Sequence, residues 1–302
     1  MDGVLNVNKK SGLTSHDVVQ QIRNRIGDSK VGHTGTLDPM ATGVLLLCIG
    51  KATKIVPYLA NLEKEYVATL KLGIVTDTLD ADGNILDQRE VDSSIDDVRD
   101  ILPSFLGEIE QVPPMFSAVR HGGRRLYEFA RNGEVINRPT RTVHIFGIDV
   151  LSLIEHDLTI RVHCSKGTYV RSLASDIGDT LGCGAHVVCL KRTRVGKFRI
   201  EQSLTLKENE HLRKEDSIER HVIPMTEALG HLVEVKVGGE DRRRILHGTA
   251  IPLDDPAASR QGNLRHELVR ITGDDDTLLG LGKIELNQSE SIAALKPTRI
   301  FV

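Results

Sequence analysis

The longest unbroken apolar run in this 302-residue chain is six residues, Val44 to Ile49, set between Gly43 and Gly50. A helix that crosses a bilayer needs roughly twenty, so no membrane span is expected and the run reads as a buried strand. Tyr66, Ala68, Leu70 and Leu72 then fall on one side of an alternating stretch, a second strand with one face in a core. Val4 to Val7 reads as a third. Thr142 to Leu153 and Leu158 to Cys164 are β-rich and separated by a turn-like stretch, so they are expected to pair as a hairpin. His186 to Leu190 adds another strand.

Helical spacing is rarer. Ser15 opens a helix with Val18, Ile22 and Ile26 on one face and Gly27 as its stop. Ser94 caps a second, carrying Ile95, Val98, Ile101, Leu102 and Phe105. Further helices are expected near Thr168 to Leu181, within GGRRLYEFARNG, and over the charged stretch Leu206 to Arg220. After Gly230 the pattern turns to short strands (LVEVKV, HELVRI, LLGLGKI, TRIFV), so a small β-rich domain is expected there. The length fits one large domain plus a small one. With 39% apolar and 27% charged residues the chain has material for a sizeable core, and general disorder is excluded.

The start, MDGVLNVNKK, has no apolar signal core, so a cytoplasmic address is expected. In that compartment Cys48, Cys164, Cys183 and Cys189 read as buried thiols rather than a disulfide framework.

Net charge is −3, but it is unevenly spread: Ser117 to Ile200 carries +7 and the remainder −10. A polyanion would be drawn to the basic segment by counterion release. A solvated surface of interleaved charges accounts for the numbers equally well. Asp77 to Glu110 is the opposite case, eleven acids against Arg89 and Arg99. Aromatics are 3% with no Trp, which disfavours an aromatic platform for single strands.

Several motif classes fail. Gly50-Lys51 is followed by Ala52, not Ser or Thr, so a phosphate loop is disfavoured; neither GxGxxG nor GxSxG occurs. Cys183, His186 and Cys189 lack a second pair at zinc spacing and read as structural. Two segments remain. In GHTGTLDPMATG, Asp38 sits before Pro39, which biases it to an extended conformation, and Gly35 and Gly43 let backbone approach a ligand. Such a carboxylate serves as a nucleophile or base, or simply initiates an Asx turn. In CSKGTYVRSLASDIG, Tyr169 and Arg171 share a face if the stretch is extended and diverge if it is helical. On a shared face Arg171 is placed to pair with a distant carboxylate; otherwise Tyr169 is core and Arg171 a surface charge.

GHTGTLDPMATGVL, GKATK, KEYVATLKLGIVTDTLDADG, VPPMFSAVRHGGRRLYEFAR, CSKGTYVRSLASDIG and GAHVVCLKRTRVGKF, in that order over residues 1 to 222, together resemble the bacterial tRNA pseudouridine-55 synthases, the TruB family. The resemblance implies an α+β fold: a catalytic domain over 1–229 on a largely antiparallel mixed sheet flanked by helices, with an RNA-binding insertion at about 113–140, and a PUA-like RNA-binding β-barrel over 230–302. It implies isomerisation of the uridine at position 55 in the tRNA T loop, by base flipping, without cofactor or metal, in a monomer. Asp38 is then the essential aspartate, Tyr66 the tyrosine stacked on the target base, and Arg171 the partner of Asp38. Tyr169 lines the pocket, Leu190 packs on the uracil and His33 supports the T loop after extrusion. Lys9 belongs to an N-terminal lysine motif counted with the substrate-binding residues, although Lys10 stands where the family has proline. Arg120, Arg124 and Arg125 fall in the insertion that closes on the T stem-loop. The alternative from another class is a non-catalytic tRNA-binding or tRNA-folding protein using the same basic face.

Overall fold

The computed structural model describes residues 1–27, 29–117, 119–206, 218–253, 268–286 and 293–301. The chain divides into two compact units: Leu5–Leu47 with Ala60–Ser217, and Met1–Val4 with Cys48–Leu59 and Ile218–Val302.

The larger unit carries most of a sheet that has ten strands among the described residues. Strand β1 (Gly3–Lys9) leads to helix α1 (Ser15–Ile26), whose N-cap Thr14 and N3 residue Asp17 form a reciprocal capping box. Val18, Val19 and Ile22 of α1 are buried, and Gly27 ends it at φ +77°. Next come β2 (Val31–His33), β3 (Thr42–Ile49), the short helix α2 (Val56–Ala60), most of which belongs to the smaller unit, and β4 (Lys64–Leu72). The Val44–Ile49 run is wholly buried, and β4 alternates buried with half-buried residues as its sequence does.

A small ribbon follows, β5 (Ile74–Thr76) with β6 (Ile85–Gln88), then helix α3 (Ile95–Ile101), again begun by a capping box, from Ser94 and Asp97. The expected helix to Phe105 tightens into a 3-10 turn from Leu102, where Pro103 cannot donate to an α-helical ladder. Strand β7 (Gly107–Gln111) precedes the basic insertion. There the expected helix α4 (Leu126–Arg131) follows a tight hairpin, β8 (Arg120–His121) with β9 (Arg124–Arg125). Both glycines at its tip, Gly122 and Gly123, have positive φ.

Strands β10 (Arg141–Ile154) and β11 (Asp157–Cys164) form the expected hairpin, turning at Glu155. Helix α5 (Val170–Thr180) packs on β12 (Ala185–Val195), which is followed by β13 (Phe198–Arg199) and β14 (Leu204–Thr205). That packing is close at Gly178, where a side chain would overlap the backbone of Gly184 and Ala185. The main order is β14-β1-β3-β12-β4-β11-β10-β7, with β2 on β3 and β13 on β12. The run from β12 to β7 is antiparallel, while β12–β3 and β1–β14 are parallel.

Most of the stretch expected to be helical from Leu206 lies outside the described residues; Ile218–His221 is one 3-10 turn. The smaller unit contains α6 (Met225–Ala228), β15 (Glu234–Val237), α7 (Gly239–Leu246), β16 (Ile251–Leu253), β17 (Leu268–Gly273), β18 (Leu278–Leu286) and β19 (Ala293–Ile300). Its strands form one five-stranded sheet, β15-β17-β18-β19-β16, around Val237, Ile245, Ile251, Val269, Ile271, Leu279, Ile284 and Leu295. Helix α7, whose Ile245 enters that core, was not read from the sequence. The four thiols divide three to one: Cys48, Cys164 and Cys183 are buried as expected, whereas Cys189 is exposed on the outward-facing side of β12. No helix among the described residues is long and apolar enough to cross a membrane.

Candidate active site

The loop between β2 and β3 holds Asp38, and three groups from elsewhere pin its backbone. The Ser15 hydroxyl, at the start of α1, accepts from the Leu37 amide at 2.9 Å and lies 3.3 Å from the Leu37 carbonyl oxygen, to which it donates. The Lys9 ammonium donates to the carbonyls of Pro39 (3.0 Å), Leu13 (2.6 Å) and Lys10 (3.0 Å). Arg192 on β12 donates to Val44 (2.7 Å) and Gly35 (3.2 Å) carbonyls. The turn itself is a backbone turn, Ala41 N–H to Asp38 C=O at 3.1 Å, so the side chain is left for another partner.

That partner is Arg171. Its Nε lies 3.0 Å from Asp38 Oδ2, an ion pair whose N–H is not aligned as a hydrogen bond. Nη1 donates to Asp80 Oδ2 at 3.0 Å and to the Thr78 carbonyl at 2.9 Å, and Nη2 to the Phe116 carbonyl at 2.8 Å. The Arg171 side chain is 3% exposed and that of Asp38 32%. A buried guanidinium thus joins two carboxylates, one closed off and one open to solvent. Burial pushes the Asp38 carboxyl above the usual range; Arg171 and Lys9 pull it down, and the Asp80 charge pushes it up again.

The two conformational readings of TYVR resolve at the helix start. Tyr169 is the extended N-cap residue and Arg171 is already in α5. They nevertheless converge on one cavity. Gln111 on β7 holds Tyr169 by accepting from its amide at 3.0 Å and donating to its carbonyl at 3.4 Å.

Two cavities meet at Asp38. The first, of about 380 Å³, is lined by Asp38, Lys64, Tyr66, Tyr169, Arg171, Leu190 and Arg192, among others. Tyr66 faces it because β4 alternation turns that side inward, directly opposite Arg192 on β12. Burial raises the hydroxyl pKa of both tyrosines. The second cavity, of about 800 Å³, contains His33, Asp38, Pro39, Asp80, Arg120, Arg125 and Tyr127. Burial lowers the His33 pKa, so its imidazole is disposed to be neutral. Arg124, from the same hairpin, stacks its guanidinium 4.1 Å from the Phe129 ring centroid.

Six of the seven sequence-selected residues therefore line one cavity or the other. Lys9 does not. It is 1% exposed and its donors are engaged by three carbonyls, so it positions the Asp38 loop from behind rather than meeting a ligand. Gly43 likewise differs from expectation. At φ +102°, a Cβ there would overlap the Arg192 carbonyl oxygen, so the glycine admits strand β12 and not a ligand. Sequence reading missed Asp80, Lys64 and Arg192. Asp80 was one acid among eleven, and nothing local distinguishes it; its burial comes from the Leu79–Val187 and Ala81–Val187 backbone bonds that fasten its turn to β12. Cys183, His186 and Cys189 do not assemble: His186 Nδ1 sits 2.9 Å from the Ile74 carbonyl oxygen while Cys189 faces out.

Residues 23–170 match the family model described as TruB family pseudouridylate synthase (N terminal domain), and 171–230 that of the tRNA pseudouridylate synthase B C-terminal domain. The chain is 44% identical to tRNA pseudouridine synthase B of Clostridium kluyveri, over 93% of this chain and 95% of that protein. It is 42% identical to the protein of the same name from Burkholderia mallei, over 100% and 97%. Among solved structures it is similar to a chain of a Cbf5-Nop10-Gar1 complex (TM-score 0.75, 31% identity, covering 99% of this chain and 85% of that one). A chain of an H/ACA RNP bound to a substrate RNA containing 2'-deoxyuridine gives a TM-score of 0.72 at 28% identity, with 99% and 85% covered. On matches that span the Asp38 loop, both cavities and nearly the whole length of its relatives, the chain belongs to the TruB family of pseudouridylate synthases.

Proposed function

We propose that this enzyme converts the uridine at position 55 of the tRNA T loop to pseudouridine, acting as a cytoplasmic monomer. The Asp38–Arg171 pair at the junction of two cavities carries the reading. The smaller cavity takes the extruded base and the larger one the loop it leaves. Extrusion costs a few kcal/mol, which stacking and packing in the pocket offset. Tyr66 stacks on the uracil, Leu190 packs against it and Tyr169 closes the side. His33, in the larger cavity, supports the T loop once the base has gone.

Asp38 supplies a carboxylate at the anomeric carbon, where cleavage of the N-glycosidic bond develops positive charge; it acts by covalent capture or by taking the 2′ proton. The detached base turns and its C5 bonds to C1′. C5 then loses its proton to solvent and N1 gains one, so the net change is an isomerisation. Arg171 orients the carboxylate and offsets part of its desolvation cost. Arg120, Arg124 and Arg125 contact backbone phosphates, which position RNA without reading sequence. Residues 230–302 act as a PUA-like RNA-binding domain beside a catalytic domain of 1–229.

The test uses tRNA transcript tritiated at uridine C5, because forming the new carbon bond expels that hydrogen. Release of about one equivalent per tRNA, confined to position 55 and lost in Asp38→Asn with tRNA binding retained, is the expected result. Tight binding without release would favour a tRNA-folding protein instead.

A further inference from the structure

The lining of the smaller cavity includes two buried cations, Lys64 and Arg192, that the proposed chemistry has not used. Lys64 and Tyr66 lie two apart on β4 and face the same way, while Arg192 lies directly across from Tyr66 on β12. Lys64 is 7% and Arg192 3% exposed. Among the described residues neither forms an ion pair: Lys64 donates to the carbonyls of Ala60 (2.6 Å) and Leu62 (2.5 Å), and Arg192 to those of Val44 and Gly35. Asp38 is the one carboxylate among the residues lining this cavity, and it is engaged by Arg171. Two desolvated cations without a neutralising carboxylate are costly. Both line the space assigned to the base, so their charge lies beside it.

We infer that Lys64 and Arg192 form an anion-stabilising floor for the uracil as it leaves the sugar. This rests on the reading of the cavity as the site of the extruded uridine. When the C1′–N1 bond breaks, its electron pair goes to N1 and the base becomes a uracil anion, with charge shared among N1, O2 and O4. That holds whether Asp38 captures C1′ or removes the 2′ proton. Cations fixed where charge appears, and held by backbone oxygens so that they need not reorganise, lower the barrier more than they strengthen substrate binding. Asp38 and the floor would then act on opposite charges: the carboxylate on the sugar, the two cations on the base.

The test compares tRNA carrying uridine with tRNA carrying 5-fluorouridine at the target position, under single turnover, following loss of the N-glycoside after nuclease digestion. Fluorine makes the base a better leaving anion, so it has less need of the floor. Lys64→Gln keeps a donor for the two carbonyls and removes the charge; Lys64→Met is a second variant should the first not fold. The expected loss is about 100-fold on uridine, within the range for one lost oxyanion donor, and at least tenfold smaller on 5-fluorouridine, with tRNA affinity within about threefold of the parent. Arg192→Lys, which keeps the charge, should retain more activity than Arg192→Met. Equal fractional losses on the two substrates, or a loss confined to tRNA affinity, would overturn the floor. Absence of turnover by the unsubstituted enzyme on both substrates would instead overturn the uridine reading on which it rests.

Discussion

Arg171 Nε stands 3.0 Å from Asp38, and Nη1 of the same guanidinium stands 3.0 Å from Asp80. One buried cation therefore serves two carboxylates, and removing either the cation or the hidden carboxylate changes the field at the open one. Arg171→Ala would leave Asp38 and Asp80 unpaired in a desolvated site. Turnover should fall at least 1000-fold and the fold lose about 3–5 kcal/mol, the usual cost of breaking a buried pair. Asp80→Asn keeps the shape and removes one charge, so activity should fall about 10–100-fold with a smaller change in melting temperature. Single-turnover assays and denaturant titration check both; full activity in Asp80→Asn would show that the bridge has no part in catalysis.

The activity profile with pH should be bell-shaped. In the proposed mechanism Asp38 acts as a carboxylate, and burial has raised its pKa, so activity should be lost on acidification at a higher pH than for an ordinary aspartate. On the alkaline side, burial lowers Lys9 and Lys64 to about 8, so activity falls as pH rises through about 8 and both ammonium groups lose their protons. Stability moves the other way there. Between about 8 and their ordinary value of 10.5, these two lysines are protonated in the unfolded chain but not in the folded one, so their contribution to stability rises with pH. A profile flat to pH 9.5 in wild type, with Lys64→Gln unchanged in shape, would exclude the lysines as the alkaline group.

Lys9 acts through the loop. Lys9→Met fits the volume but leaves the carbonyls of Lys10, Leu13 and Pro39 without their donor. We expect turnover to fall more than tenfold, tRNA affinity to change little, and stability to drop by about 1–3 kcal/mol. A loss that appears only in tRNA affinity would instead mean that Lys9 touches RNA.

Gly43 meets the backbone of β12, so Gly43→Ala is strained twice, by φ +102° and by overlap with the Arg192 carbonyl. The expected cost is at least about 2 kcal/mol, read from chemical denaturation. Activity of the folded fraction should also fall, because Val44 and Gly35 are the residues that Arg192 holds.

Local pattern alone specified the elements that periodicity and capping control. The β4 alternation, the buried Val44–Ile49 strand, the hairpin of β10 and β11, and the two helices opened by Thr14–Asp17 and Ser94–Asp97 boxes all depend on neighbours within a few residues. The resemblance, carried by six short blocks, supplied Asp38, Arg171 and Tyr66 as a set. Composition around them could not: by itself Asp38 before Pro39 reads more readily as a turn former than as a catalytic group.

Tertiary structure decided what each charge is for. Asp80 is a buried partner because its turn is fastened to β12, more than a hundred residues further along the chain. Lys9 and Lys64 are both lysines near strand ends, yet one is sealed behind the Asp38 loop and the other lines the smaller cavity. Arg192 is one of many arginines in a basic segment, and only the pairing of β12 with β3 and β4 turns it into the clasp of the Asp38 loop. The reason is physical. Secondary structure follows from contacts close in sequence, whereas the work of an ionisable group depends on its desolvation and on which partners the fold brings within a few ångströms, and neither is written in the residues beside it.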